Sequence, residues 1–253
     1  MARTDFTTPR LYLACDLHQG ATAALSPEQA NYLVNVLRLG PGARVLTFNG
    51  RDGEFAASIG AVGRKVATLA IGERTRPQEY PPDVDYLFAP LKHARLDYVA
   101  QKAVEMGARR LSPVFTRRTQ AARVNVERLR ANAREAAEQC GVIWLPEIEP
   151  PERLEKVLAN WPAERLLIFC DEDAEVADPI AILRRAAPAG EPRPGASATL
   201  LIGPEGGFDE AEREKILRKP NVLRLSLGPR ILRADTAAVA ALALVQSVLG
   251  DWS

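Results

Sequence analysis

The spacing of apolar residues changes part-way along this chain. Over residues 43–48, 54–59 and 65–71 apolar positions alternate with polar ones or form short runs, divided by Asn49-Gly50 and by the glycines at 60 and 63. A period of two between turn residues predicts β-hairpins. Residues 10–17 also alternate and predict a strand. Ser26-Pro27-Glu28-Gln29 reads as a helix start, with Ser26 as cap and Pro27 in the first turn. Its apolar face runs through Tyr32, Leu33, Val36 and Leu37 until Gly40 and Gly42 end it. A small β-rich unit with one helix is expected over residues 1–74, followed by a proline-marked linker over 75–82.

Beyond the linker, short apolar runs alternate with stretches of helical spacing. Strands are expected at 84–89, 111–115, 143–145, 166–170, 200–202 and 222–226. Helices are expected through Leu96, Val99, Ala100, Ala103 and Val104 up to Gly107, over 127–139 up to Gly141, and over 151–161. Asp209 opens a further helix, with Glu212 three residues on completing a capping box, and Asp235 or Thr236 opens a long alanine-rich one. Strands alternating with helices give a parallel α/β domain over 83–253. Residues 237–249 are apolar almost all round, which predicts a helix buried on more than one side. The proline- and glycine-rich residues 186–198 read as a loop without chemistry.

Composition adds limits. The chain has 253 residues, 47% hydrophobic and 26% charged, enough for one large or two modest soluble domains. A net charge of +1 conceals contrast: residues 109–130 hold seven arginines against one acid, Glu127, which predicts a local basic surface. Cys15, Cys140 and Cys170 stand apart, without a CxxC pair or neighbouring histidines, so neither a zinc site nor a disulfide framework is indicated and a reducing cytoplasm fits. No signal-peptide core or membrane-length apolar stretch is evident.

The unusual residues concentrate in 199–246. An apolar strand ends in Gly203-Pro204-Glu205-Gly206-Gly207 just before the Asp209 helix. Gly206 and Gly207 lack a Cβ, so the chain can take positive φ there and bring backbone N–H groups against a ligand beside a helix N-terminus. A second irregular loop, Leu227-Gly228-Pro229-Arg230-Ile231-Leu232-Arg233, follows the next strand. Two such loops at neighbouring strand ends can form the walls of one slot. The first lacks Gly-Lys-Ser or Gly-Lys-Thr, which excludes a triphosphate-cradling loop, and it is not GxGxxG. An apolar lining from Leu225, Leu227, Ile231 and Leu232 suits an aromatic base held by backbone hydrogen bonds.

LIGPEGGFDEAE followed by LSLGPRILRADTA resembles the paired signature of the SPOUT methyltransferases. Within them it resembles the family that methylates N3 of a uridine in small-subunit (16S) ribosomal RNA. The resemblance continues through YLVNVLRLGPG, QKAVEMGARRLSPVFTRRTQ and EAAEQCGVIWLPEI, in order over nearly the whole chain. It implies a PUA-like barrel for residues 1–74 and, for 83–253, a SPOUT domain whose last helix threads a trefoil knot. It implies S-adenosylmethionine as cofactor and no metal, with Ile202, Gly203, Pro204, Glu205, Gly206, Gly207, Leu225, Leu227, Gly228, Ile231 and Leu232 around it.

The implied reaction demands positioning and charge management, because the N3 proton must leave as a sulfonium is displaced. Arg233 is the candidate to stabilise the developing uridine anion or hold a phosphate, and Glu205 and Asp235 are the candidate proton acceptors. Arg38, Arg117, Arg118 and Arg230 are candidates for RNA contact, since guanidinium binds phosphate in two-point fashion. Pairing of SPOUT domains implies a homodimer, and the partner is 16S ribosomal RNA or the small subunit, with no membrane. The chain departs from the family pattern at Asn31, where histidine is usual, at Val142, where arginine is usual, and at Ala234 and Asp235, where threonine and glutamate are usual. Two other readings are a methyltransferase for another RNA or base, and a ribosome-assembly factor that binds RNA without turnover.

Overall fold

The computed structural model describes residues 5–63, 67–92, 94–186 and 197–252. Residues 65–66 of the strand expected at 65–71, and all but the ends of the loop expected at 186–198, lie outside them. The chain packs as two units: Met1–Tyr80 with Ala137–Leu145, and Pro81–Ala136 with Pro146–Ser253.

In the first unit, β1 (Arg10–Tyr12), β2 (Thr22–Ala24), β3 (Arg44–Phe48), β4 (Glu54–Val62) and β5 (Ala67–Arg76) form a five-stranded sheet in the order β1-β3-β4-β5-β2. β1 runs parallel to β3, and the remaining pairs are antiparallel. Leu13, Leu33, Val45, Ile59 and Leu69 fill its core. Ser26 caps α1 (Pro27–Asn31) as expected: its side chain accepts from Gln29 N–H, and the Gln29 side chain accepts from Ser26 N–H. The helix continues as a π-helical turn over Tyr32–Val36.

The strand expected at 10–17 stops at Tyr12 because the β3–β4 turn captures the backbone of Cys15 and Leu17. Asp52 accepts from Leu17 N–H at 2.9 Å, and Asn49 Nδ2 donates to Cys15 O at 3.0 Å. Residues 143–145, expected as a strand, form none. The backbone here serves the first unit: Gly141 O accepts from Arg76 at 2.8 Å and Ile143 O from Gln78 at 3.3 Å.

The second unit is built on parallel strands β6 (Val84–Phe88), β7 (Arg110–Phe115), β8 (Glu147–Ile148), β9 (Glu152–Arg153), β10 (Leu166–Cys170), β11 (Ala198–Ile202) and β12 (Val222–Leu225). The order is β12-β10-β11-β6-β7-β8, with β9 also on β7. Every residue of β6 and β11 is buried. Continuous apolar runs of this kind belong to parallel strands covered on both faces. The helices are α2 (Ala94–Glu105), α3 (Val126–Cys140), α4 (Leu154–Ala159), α5 (Pro179–Ala186), α6 (Glu210–Leu217) and α7 (Ala234–Leu249).

Three features differ from the sequence pattern. The helix expected at 151–161 is shortened, because Glu152 and Arg153 pair with Val114 and Phe115 before α4 begins. α5 was not expected, although Asp178 before Pro179 is a start signal, and Asp178 does accept from Ile180 N–H at 2.9 Å. α7 packs on β11 beside α2 and α5, burying Ala237, Ala238, Ala241, Leu242 and Val245. Its Val239, Ala240, Ala243, Leu244 and Val248 stay half-buried, so one chain covers the apolar helix only in part.

The run of arginines at 109–130 is less free than its composition suggests. Arg109 pairs with Asp83 and Asp85, Arg110 with Glu147, Arg128 with Asp97 and Arg130 with Glu127.

One ion pair in the first unit is fully enclosed. Arg10 Nε meets Glu54 Oε2 at 2.7 Å, with side chains only 2% and 3% exposed. Removing one partner strands the other charge in a medium that cannot solvate it. Glu54→Ala should therefore destabilise the protein by about 3–5 kcal/mol in urea unfolding. A loss below about 1 kcal/mol, the range of surface pairs, would show that water reaches Arg10.

Candidate functional site

The C-terminal ends of β10, β11 and β12 open into a cavity of about 310 Å³. In open α/β sheets ligands bind in the crevice at this edge. The first wall is the glycine loop after Ile202. A Cβ on Gly203 would lie 2.6 Å from the Phe208 ring, which packs edge-on against Phe169 with centroids 5.3 Å apart. Gly207 turns the chain at φ +68, and its N–H donates to Pro204 O at 2.9 Å. Asp209 then caps α6: its carboxylate accepts from Glu212 N–H at 2.7 Å, while the Glu212 side chain accepts from Asp209 N–H at 3.3 Å.

The second wall runs from Leu225 through Ser226, Leu227, Gly228 at φ +99 and Pro229 to Leu232. Ile231 stands at the rim, 98% exposed. A third side comes from the end of β10, with Phe169, Cys170 and Asp171, and from Glu172, Asp173 and Val176 beyond it. Asp171 is buried and accepts from Arg213 at 2.9 Å and Arg224 at 2.7 Å. Burial alone would raise its carboxyl, but the bonds from Arg213 and Arg224 outweigh burial and hold it below the usual carboxylate range. The neighbouring Cys170 thiol is pushed up by burial and by the Asp171 charge, so it stays protonated.

Most of the residues expected around a ligand meet here. Ile202, Gly203, Pro204, Glu205, Gly207, Leu225, Leu227, Gly228, Ile231 and Leu232 all line the cavity. Gly206, expected there too, does not, and only Gly207 of the two takes a positive φ. It turns outward, where its carbonyl accepts from Arg118 Nη1 at 2.7 Å. Arg117 Nη1 donates to Asp209 at 2.8 Å and its N–H to Glu212 at 2.8 Å, so both arginines brace the glycine loop.

Of the expected catalytic residues, Glu205 lines the cavity and Arg233 and Asp235 do not. Glu205 and Asp235 are joined by Arg95, which donates from Nη1 to Glu205 at 2.8 Å and from Nε to Asp235 at 2.9 Å. The Arg95 guanidinium holds the Asp235 carboxyl below the usual range. Arg233 precedes α7, is exposed, and makes no side-chain bond among the described residues. Arg230 is exposed at the cavity rim. Arg38 belongs to the first unit, exposed and in the left-handed region at φ +57. The sequence reading missed Arg95 and Asp171. An acid ending an apolar strand was a signal for Asp171, but nothing local marks Arg95, whose partners lie 110 and 140 residues away.

The chain matches the model of the RNA methyltransferase domain over residues 78–246 and that of the RNA methyltransferase PUA domain over residues 25–71. It is similar to ribosomal RNA small subunit methyltransferase E of Rickettsia conorii, 30% identical over 238 residues that cover 94% of each chain. The protein of that name from Bacillus subtilis is 27% identical, covering 90% of this chain and 91% of that one. Two solved structures, each with S-adenosylmethionine bound, are alike in fold. A methyltransferase of Legionella pneumophila has a TM-score of 0.80 at 30% identity, covering 95% of this chain and 97% of that one. Ribosomal RNA small subunit methyltransferase E of Neisseria gonorrhoeae has a TM-score of 0.80 at 27% identity, covering 97% and 100%.

The two glycines of the loop are not equivalent. At Gly207 a side chain meets both the left-handed backbone and the Glu172 carboxylate, 2.5 Å from the new Cβ; at Gly206 it meets only Arg118 atoms at 3.6 and 3.7 Å. Gly207→Ala should cost about 1–2 kcal/mol in urea unfolding, and Gly206→Ala a few tenths or nothing. Equal losses would show that the loop's constraint is not at Gly207.

Proposed function

The chain belongs to the RNA methyltransferase family that includes ribosomal RNA small subunit methyltransferase E, and from that membership we propose that it methylates N3 of a uridine in 16S ribosomal RNA, using S-adenosylmethionine. The observation that carries the reading is the slot at the ends of β10, β11 and β12: an apolar crevice between two glycine-bearing loops, of a volume within the range of small-molecule sites.

The residues present fit the cofactor. Ile202, Leu225, Leu227 and Leu232 offer apolar walls for a flat base, and the turns at Gly207 and Gly228 let the main chain come close. A Cβ on Gly203 would need the space that the Phe208 ring fills, so the wall keeps its shape only with glycine there. When bound, S-adenosylmethionine supplies a methyl group activated on a sulfonium. The chain's own task is then to orient the base and manage the charge left when the N3 proton departs.

For that task the candidate groups divide. Asp235, held low by Arg95, is a weak base near neutral pH and serves to hold the fork of Arg95. Glu205, on the cavity wall, is the carboxylate nearer the reaction. Arg230 and Arg233, exposed beside the slot, are free to meet phosphates, whereas Arg117 and Arg118 act on RNA only through the loop they brace. The PUA-like unit, with Arg38, adds RNA contact. The half-buried apolar side of α7 supports a homodimer, and family membership supports the trefoil knot. Among the described residues no helix is long and apolar enough to cross a membrane, and the reading places the work in the cytoplasm, with ribosomal RNA.

A methyl group on N3 blocks the pairing edge of the base, so reverse transcription stops there. Small-subunit RNA from cells with the protein should show a stop that disappears when the gene is deleted and returns when it is restored. An unchanged stop pattern would overturn the proposal. The dimer has its own test. Ala241 is fully buried within one chain, so a charge there would unfold the protein, whereas Leu244 is half-buried on the uncovered side. Leu244→Glu should give a folded monomer by light scattering at micromolar concentration, since an unpaired charge buried at an interface costs several kcal/mol, roughly a thousandfold in affinity. A wild-type monomer would remove the interface.

A further inference from the structure

The guanidinium of Arg95 is fixed at two points, by Glu205 in the glycine loop and by Asp235 in the first turn of α7. Its remaining nitrogen, Nη2, is shut off from solvent and has no acceptor, the one buried side-chain nitrogen or oxygen among the described residues in that condition. A shielded donor without an acceptor is costly, and more so on a charged group. Proteins keep such groups where a ligand or a reaction requires them. Two carboxylates hold the other nitrogens, so Nη2 cannot swing away to find water without breaking an ion pair.

What Nη2 lacks is an oxygen. Arg95 and Asp235 do not line the cavity, whereas Glu205 does. The fork thus lies outside the slot, beside a carboxylate that forms its wall. Transfer between two substrates requires the reacting atoms to stand about 3–3.5 Å apart. The target base must therefore lie against the slot, in reach of a group one side chain removed from its wall.

We propose that Arg95 is a catalytic residue that donates from Nη2 to a carbonyl oxygen of the target uracil. The inference rests on the functional reading above. N3 stands between two carbonyl groups. As its proton leaves to water, negative charge spreads onto both oxygens, and a fixed cationic donor at one of them stabilises that anion. N3 then forms its bond to the methyl carbon while the carbon–sulfur bond breaks, with both electrons of that bond kept by sulfur. The sulfonium becomes a neutral thioether, the base is neutral again, and the balance is one proton in water. Glu205 and Asp235 have a positioning role: they aim the fork. Lysine carries the charge without the planar fork, so it replaces arginine only in part.

The test uses the full-length protein with Arg95→Gln and Arg95→Lys. S-adenosylmethionine affinity is measured by calorimetry, folding by thermal unfolding, and single-turnover methylation of small-subunit RNA from about pH 7 to about pH 9.5. Loss of one such donor costs roughly 100-fold or more in rate, and that is the deficit expected for Arg95→Gln at neutral pH, with a smaller one for Arg95→Lys. Cofactor affinity should stay within about threefold, a change worth under 1 kcal/mol. The deficit should shrink by about tenfold or more in alkali, where uracil loses its proton without help and less stabilisation is required. A deficit equal at every pH, or a loss of cofactor affinity as large as the loss of rate, would overturn the assignment. If the wild-type protein binds S-adenosylmethionine yet leaves N3 unmethylated, the functional reading itself fails and this inference falls with it.

Discussion

β11 has no side toward water. All five of its residues are buried, with β10 and β6 paired along its two edges. A strand enclosed in this way can expose chemistry only where it ends, and here the end is tightly set. Ile202 O accepts from Ala89 N–H at 3.0 Å, and the next residue has no room for a side chain. The chain must then turn within a few residues into the capped start of α6. The Phe208–Phe169 packing, the left-handed Gly207 and the reciprocal Asp209–Glu212 cap are the means by which it does so. The slot is the space that this enforced departure leaves between β10, β11 and β12. Its shape follows from the sheet and from the two loops that leave it.

Charge is arranged around the slot with similar economy. Net charge near zero and a run of arginines suggested a basic face, yet much of that charge is answered within the fold. Asp171 takes two guanidinium groups at the end of β10, Asp85 takes Arg109 and Arg165, and Arg117 closes on Asp209. A cation already paired adds little to binding a phosphate, since the two would compete for the same donors. Arg230 and Arg233, which have no such partner among the described residues, sit on the second loop and at the head of α7, beside the cavity.

The sequence carried the parts of this arrangement that local rules control. The apolar runs of β10 and β11, the capping boxes at Ser26 and Asp209, and the two glycine loops are set by neighbours within a few residues, and all are legible. What failed depended on distant partners. Residues 143–145 have the apolar look of a strand, but hydrogen-bond partners at Arg76 and Gln78 claim the backbone around them. Glu152 and Arg153 share the helical spacing of residues 154–159, but the edge of β7 takes them first. The two loop glycines look alike in sequence, but Gly207 is set apart by its left-handed turn against Glu172, and Gly206 by Arg118, reaching in from 88 residues away. Arg95 was invisible for the same reason: its meaning lies in two carboxylates far along the chain.

Two carboxylates near the slot, Asp235 and Asp171, have a defined response to pH. Asp235 has its carboxyl depressed by Arg95, so the stabilisation from this bond is complete above the ordinary carboxylate range and is lost only as the medium becomes acidic enough to protonate the folded form, below about pH 4. Asp171, depressed on balance by Arg213 and Arg224, follows the same sign. Between neutrality and moderate alkali neither bridge titrates, and the guanidinium groups stay charged. Asp171, on the wall of the slot, and Asp235, outside it, therefore keep their charges across the range in which N3 of the proposed uracil substrate changes from weakly to readily ionised. In the proposed reaction, a rise in rate with pH over that range does not come from Asp235 or Asp171, which have no further proton to lose.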